Sequence, residues 1–304
     1  MRLAQHVNTF GRAMQARFGE KVHKLSIHAR FTCPNIDGSK GHGGCTFCNN
    51  ASFNPNGRQP PSIAEQIEAG RRVIRKRTGA RRYLAYFQAY TNTYADPELL
   101  RRLYDQALAE PDVVGLSIGT RPDCVPDAVL ALLAEYRQRG HEVWLELGLQ
   151  SAFDDALARV NRGHGFAEYV DAVHRAQRYQ LPVCTHLIVG LPGEAPRQSL
   201  LSLERVLALG VQGLKIHPLH VVRNTLLAKT FRDGGYRPLT LAEYVETAGE
   251  MVRRTPAEVV FHRLTGTAEE KLLLAPGWCQ FKWLVLNAIA ARLEQLGGQG
   301  SALH

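Results

Sequence analysis

Short runs of β-branched and aliphatic residues recur through the first 220 positions, mostly at intervals of roughly thirty: Lys24–His28, Tyr83–Gln88, Val113–Thr120, Val143–Leu149, Val183–Val189 and Gly213–His217. Each is followed by a stretch whose apolar positions return every three or four residues. A period near two giving way to a period near 3.6 marks a βα unit, and six such units in succession predict a parallel sheet with helices on its outer face. Asp96-Pro97-Glu98 supplies a capping residue and then Pro in the first turn of one helix, while Pro126 opens and Gly140 closes another. Leu99, Leu100 and Leu103 form the apolar stripe of the first; Val129, Leu130, Leu132 and Leu133 form that of the second.

Six units fall two short of a closed eight-stranded barrel, so residues 1–220 are expected to form an α/β partial (β/α) barrel, open at one side and with its working groups at the C-terminal strand ends. Beyond residue 220 the period changes. Val222–Tyr236 reads as irregular, Leu241–Arg254 as helix, Val259–Arg263 as strand and Phe281–Leu296 as helix, giving a C-terminal extension over 221–304 that packs on the barrel.

A chain of 304 residues with 45% hydrophobic content can bury a full core. No apolar run approaches the roughly 20 residues that span a bilayer. Residues 1–20 lack the apolar segment of a secretory signal, which predicts a cytoplasmic, reducing setting. Lys and Arg number 37 against 28 Asp and Glu, a net charge of +9 that favours a polyanionic partner. The densest basic cluster is Arg71, Arg72, Arg75, Lys76, Arg77, Arg81 and Arg82, around the end of the helix expected before Tyr83. Spacings of three and four put several of these on one face, able to lie against a phosphate backbone, although a helix C-terminus also attracts basic residues through its dipole.

The chemistry-bearing residues begin with Cys33, Cys45 and Cys48, in a loop that also holds Gly38, Gly41, Gly43 and Gly44. Thiolates are the usual ligands of iron–sulfur clusters, and three of them leave one iron of a four-iron cluster open to another ligand. The same residues with His42 satisfy the ligand grammar of a tetrahedral zinc site, which stays open at this point. Cys124, Cys184 and Cys279 are isolated, as buried structural cysteines are. Polar segments end the apolar strands at Gln88-Ala89-Tyr90-Thr91-Asn92, Ser117-Ile118-Gly119-Thr120-Arg121-Pro122-Asp123, Glu146-Leu147-Gly148-Leu149-Gln150-Ser151 and His186-Leu187-Ile188-Val189-Gly190-Leu191-Pro192-Gly193-Glu194. Their recurrence at one end of the sheet predicts a polar pocket there.

Taken with Thr120-Arg121-Pro122-Asp123, Gly148-Leu149-Gln150-Ser151, Asn161-Arg162-Gly163-His164 and Lys215-Ile216-His217-Pro218-Leu219, the cysteine loop resembles that of radical S-adenosylmethionine enzymes. More narrowly, the chain from about residue 20 to about residue 285 resembles the YhcC-like bacterial group and the radical domain of the Elongator catalytic subunit. The resemblance implies a partial barrel of the radical SAM type. It implies that Cys33, Cys45 and Cys48 ligate a [4Fe–4S] cluster whose open iron holds the methionine moiety of S-adenosylmethionine. It places Gln88 and Tyr90 at the methionine amine, Gln150 and Arg162 at the ribose and carboxylate, His186 where some relatives carry an acidic ribose ligand, and Val189 and Gly190 along the adenine. Eleven residues separate Cys33 from Cys45, where the usual spacing is three; the YhcC-like group shares this enlarged loop. Acetyl transfer, which belongs to a further domain of the Elongator subunit, is not implied.

The implied reaction is reductive cleavage of S-adenosylmethionine, with electrons from an external donor such as flavodoxin or ferredoxin and a hydrogen abstracted from substrate. The expected substrate is tRNA, at the side chain of a wobble uridine. A small molecule or peptide is the alternative, and it would need none of the basic surplus.

Overall fold

The structure, a computed structural model, describes residues 2–49 and 59–303. Its main sheet holds seven parallel strands in the order β1 (Val22–Ile27), β2 (Arg82–Phe87), β3 (Val113–Thr120), β4 (Glu142–Gln150), β5 (Val183–Val189), β6 (Gly213–Pro218) and, after the short β7 (Val221–Val222), β8 (Val260–Arg263). β7 pairs antiparallel with β9 (Leu273–Ala275) as a separate ribbon. The six strands expected from periodicity all form, with ends within two residues of those predicted.

Two expectations for the C-terminal third are corrected. Val260–Arg263 does not stay within an appended layer: it pairs with β6, Leu214 opposite Phe261 and Lys215 opposite Arg263, and becomes the seventh strand of the sheet. Without it the edge of β6 would be unpaired. Val222–Tyr236, expected to be irregular, contains the ribbon strand β7 and a helix over Leu226–Arg232 capped by Thr225, whose hydroxyl accepts from the Ala228 N–H at 3.1 Å. Elements this short carry too few periods to be seen in sequence.

Alternation along the strands sorts the side chains into two layers. Leu25, Ile27, Ala85, Phe87, Leu116, Ile118, Leu145, Leu147, Val183, Leu187, Leu214 and Ile216 point outward into the main core beneath the helices. The inward positions are stacked by depth. At the base, Val22, Leu84, Trp144, Cys184 and Val260 pack with Phe10 and Met14 of an N-terminal helix, Phe10–Phe18, that periodicity did not single out. This helix packs against both edge strands, β1 and β8, and so plugs the base of the half-barrel. Arg17 pins it to Glu142 at 2.9 Å. Above the plug the inward positions turn polar.

Candidate active site

The cysteine loop follows β1 and lies at the C-terminal end of the sheet. Asn35 donates to the Asn161 carbonyl at 2.5 Å, Asn161 donates to the Gly44 carbonyl at 2.8 Å, and the Thr46 N–H donates to the Val160 carbonyl at 2.9 Å. Gly163 has φ +72°, and a Cβ there would lie 2.8 Å from Asn35 Oδ1, so only glycine lets the two segments meet this closely. Lys40 pairs with Asp123 at 2.6 Å, and Arg121, fully buried, grips Asp123 with two bonds of 2.9 Å while donating to the Arg162 carbonyl at 2.8 Å. Burial alone would raise the Asp123 pKa, but Arg121 and Lys40 hold it well below the usual carboxylate range. The Thr120–Asp123 and Asn161–His164 motifs thus clasp the cysteine loop onto the barrel.

Cys33, Cys45 and Cys48 all line one cavity of about 830 Å³. Burial pushes the Cys48 thiol up to about 12, with Cys45 and Cys33 adding to the shift and Arg162 opposing it, as befits three sulfurs gathered around one space. Cys45 accepts from Arg162 Nη1 at 3.6 Å and from Asn35 Nδ2 at 3.8 Å, the N–H donors that steady cluster thiolates. Thiolates around a single tetrahedral zinc stand about 3.8 Å apart, as Zn–S bonds of about 2.3 Å require. Among the described residues, the His, Cys, Asp and Glu ligand atoms that gather in threes within 4.8 Å of one another are those of Glu146, Cys184 and His186, not those of Cys33, His42, Cys45 and Cys48. The loop therefore suits a multi-iron cluster rather than one zinc ion. Nor is the Glu146 trio a metal centre, since Lys215 and Lys24 already occupy the carboxylate.

The other expected cofactor residues divide. Gln88 donates to Ser26 Oγ at 2.8 Å, Tyr90 stacks on His28 with centroids 6.0 Å apart, Gln150 ends β4, Arg162 donates to the Gly148 carbonyl at 2.5 Å, and all four line the cavity with His186. Tyr90 at φ +64° and Gln150 at φ +83° occupy the left-handed region that non-glycine residues seldom visit, and such strain concentrates at functional sites. A Cβ on Gly148 would sit 2.9 Å from both Arg162 and Gln150. Val189 and Gly190 are not brought to the cavity. Val189 faces the outer core, Gly190 lies beneath Leu239 and Tyr236, and it is Ile188 that the alternation of β5 turns inward.

Beneath the cavity lies a charged layer that the sequence reading passed over. Glu146, fully buried, bonds Lys24 and Ser117 through one oxygen, and through the other Lys215 at 2.9 Å and His186 at 2.7 Å. Lys215 reaches Tyr86 Oη at 2.6 Å, and Lys24 reaches His262 at 2.8 Å. Burial favours a neutral carboxyl, yet Lys215 and Lys24 hold Glu146 well below its ordinary pKa. The signal was present in sequence: charged residues at inward positions of otherwise apolar strands.

Histidines in this region are held neutral. Burial lowers His186 and His220 to about 4 and His262 to about 3, and places His217 well below its ordinary value. The unfolded chain accepts these protons near pH 6.5, so unfolding takes up protons below that value. Stability is expected to be undiminished above about pH 6.5 and to fall as pH drops towards about 4, by roughly 1.4 kcal/mol per pH unit for each such histidine. Urea midpoints of the cluster-loaded protein at pH 7.5 and pH 5 check this; equal midpoints would contradict it.

The basic cluster is corrected. Arg71 is engaged by Glu68 at 2.6 Å, Glu110 at 2.8 Å and Asp112 at 2.7 Å, and Arg82 by Glu20 at 2.8 Å. The helix Ile63–Thr78 runs antiparallel to the strands, so its basic end and the start of β2 lie at the N-terminal end of the sheet, away from the cysteines. The expected free cationic face is partly neutralised and does not overhang the mouth.

Comparison with known proteins agrees with this geometry. Residues 38–202 match the Radical SAM superfamily and residues 211–295 the Radical_SAM C-terminal domain. The chain is 51% identical to Protein YhcC of Escherichia coli (strain K12), over 100% of this chain and 97% of that one. It is 33% identical to tRNA uridine(34) acetyltransferase of Dehalococcoides mccartyi (strain CBDB1), over 43% of this chain and 28% of that one. Among solved structures, the archaeal Methanocaldococcus infernus Elp3 with an N-terminal deletion superposes with a TM-score of 0.62 at 17% identity, over 91% of this chain and 63% of that one, a likeness of fold. No helix among the described residues is long and apolar enough to cross a membrane.

Proposed function

The chain belongs to the radical SAM superfamily, enzymes that use a [4Fe–4S] cluster and S-adenosylmethionine, and from that premise we propose that it modifies the side chain of a wobble uridine in tRNA. The observation that carries the reading is the cavity itself. Cys33, Cys45 and Cys48 share its lining with His186, Lys215, His217, His220 and Arg263. At about 830 Å³ it lies in the upper part of the roughly 300–1,000 Å³ range of ligand sites, with room for the cofactor and a flipped-out nucleoside. The sequence likeness to a tRNA uridine(34) acetyltransferase supports the choice of substrate.

In this reading Cys33, Cys45 and Cys48 hold the cluster, and cluster and cofactor together supply reductive cleavage and hydrogen abstraction. Gln88, Tyr90, Gln150, Arg162 and His186 orient the cofactor beside them. Arg162 lies between Cys45 and the end of β4 and lines the cavity, which puts its guanidinium in reach of the methionine carboxylate. The Glu146 layer fixes His186 and Lys215 from below and seals the floor against water.

Arg162→Ala is expected to weaken S-adenosylmethionine binding by about 1.5–3 kcal/mol, the range for a charge-assisted bond, with the cluster retained. Equilibrium dialysis measures it, and unchanged affinity would remove Arg162 from the pocket. The substrate is tested by mass spectrometry of tRNA nucleosides from cells with and without the protein. A wobble-uridine derivative should vanish or its precursor accumulate. An unchanged set under several growth conditions would contradict the reading and favour the small-molecule or peptide alternative.

A further inference from the structure

The last helix, Lys282–Leu296, buries Val285, Leu286, Ile289, Ala290 and Leu293, but its opening does the reverse. Phe281 and Trp283 are each 59% exposed and Leu284 is 49% exposed, the one place among the described residues where large apolar side chains stand out consecutively. Lys282 lies between the two aromatics with its ammonium 5.5 Å from the Trp283 centroid, and the first turn of the helix contains no acidic residue. Burying neither ring while adding a cation is a poor arrangement for a surface that meets only water.

The position of this patch gives it meaning. β1 and β8 are the outermost strands of the half-barrel, and the N-terminal segment bridges to β8 through Thr9 and Phe261. The charges of Lys282, Arg77 and Lys21 bear on His23 at the start of β1, and that of Arg263 at the end of β8 bears on Lys282. Arg263 also lines the cavity, where it has no hydrogen bond or ion pair among the described residues. Of the other cationic residues of that wall, Arg121 is committed to Asp123 and Lys215 to Glu146 and Tyr86, while Arg162, beside Cys45, belongs to the cofactor. Arg77 and Arg263 are therefore both near enough to Lys282 for their charges to act on it, Arg263 belongs to the cavity wall, and two exposed rings flank Lys282.

Aromatic faces interleaved with Lys and Arg are the chemistry of single-stranded nucleic-acid binding, in which bases stack on rings while the cations follow the phosphates. We propose that Phe281 and Trp283 form a stacking platform for unpaired bases of the RNA loop whose nucleotide enters the cavity, with Lys282 and Arg263 contacting the phosphates between platform and site. The assignment rests on the tRNA reading above and locates its contact surface at the open edge rather than on the Arg71 face. An acidic electron-donor protein would also meet positive charge here, and slower reduction with unchanged RNA binding in the variants would identify it.

The test uses the cluster-loaded protein and a fluorescein-labelled anticodon stem–loop RNA with uridine at the wobble position, read by fluorescence anisotropy across a salt series. Changing Phe281 and Trp283 together to Ala should lower affinity at least about tenfold with little change in salt slope, while Trp283→Phe retains most of it. Lys282→Gln should reduce the log–log salt slope by about one contact. Equal affinity of wild type and the double alanine variant would overturn the platform while leaving the tRNA reading in place. A wild-type protein that does not bind the stem–loop would overturn both. Unchanged RNA affinity with slower reduction by flavodoxin, or with loss of a wild-type dimer, would reassign the patch to a protein partner.

Discussion

Replacing any one of Cys33, Cys45 or Cys48 by alanine is expected to abolish the cluster of anaerobically reconstituted protein, which in its native sequence should hold about four irons per chain. The three thiols line one cavity, and the loop that carries them is clasped by Asn35, Asn161, Lys40 and Asp123, so a neighbouring residue has no freedom to substitute for a missing ligand. Cys124→Ala, Cys184→Ala and Cys279→Ala should leave the iron in place. Each of these thiols is buried and none of them lines the cavity that Cys33, Cys45 and Cys48 share. Stoichiometric zinc and no iron uptake in protein purified without air would contradict the assignment.

The second large effect is one of stability. Glu146→Gln removes the single negative charge that Lys24 and Lys215 share while keeping the volume of the side chain. Two ammoniums then remain in a buried layer without a counter-ion, and breaking a buried pair in this way costs about 3–5 kcal/mol. The native contribution also depends on pH with a definite sign. Because the folded carboxyl titrates well below its ordinary value, the stabilisation is complete above the unfolded value of about 4.3 and is lost as pH falls through the depressed folded one. Urea unfolding at neutral pH measures the loss. A change under about 1 kcal/mol would mean that the lysines find other partners and that the layer is held by packing alone.

Much of this molecule is legible in its sequence, for identifiable reasons. β3 and β5 lie within the sheet, their outward residues are mostly apolar, and their predicted ends coincide with the observed ones. The cysteine loop and the polar strand ends were visible because their chemistry breaks the apolar pattern. What stayed hidden depends on contacts between distant segments. Joining β8 to β6 required knowing that Lys215 would face Arg263, forty-eight positions away. The plug formed by Phe10 and Met14 is read only once Trp144 and Cys184 are known to face it. Glu146 and Lys215 were within segments singled out for other reasons, but that they meet each other and Lys24 follows from the curvature of the sheet, which periodicity does not encode. The Arg71 face was misplaced because a run of positive charge says nothing about the acids folded against it. Glu110 and Asp112 come from the following βα unit.

The central claim is that the three-cysteine site carries a cluster with one iron open to S-adenosylmethionine, beside a cavity that admits substrate. Electron paramagnetic resonance of the reduced, reconstituted protein with and without S-adenosylmethionine tests it most directly. A signal that changes shape and g-values on addition of the cofactor, and is absent from Cys33→Ala, Cys45→Ala and Cys48→Ala, is the predicted result; a signal indifferent to the cofactor, or one that survives loss of any of these cysteines, would contradict it.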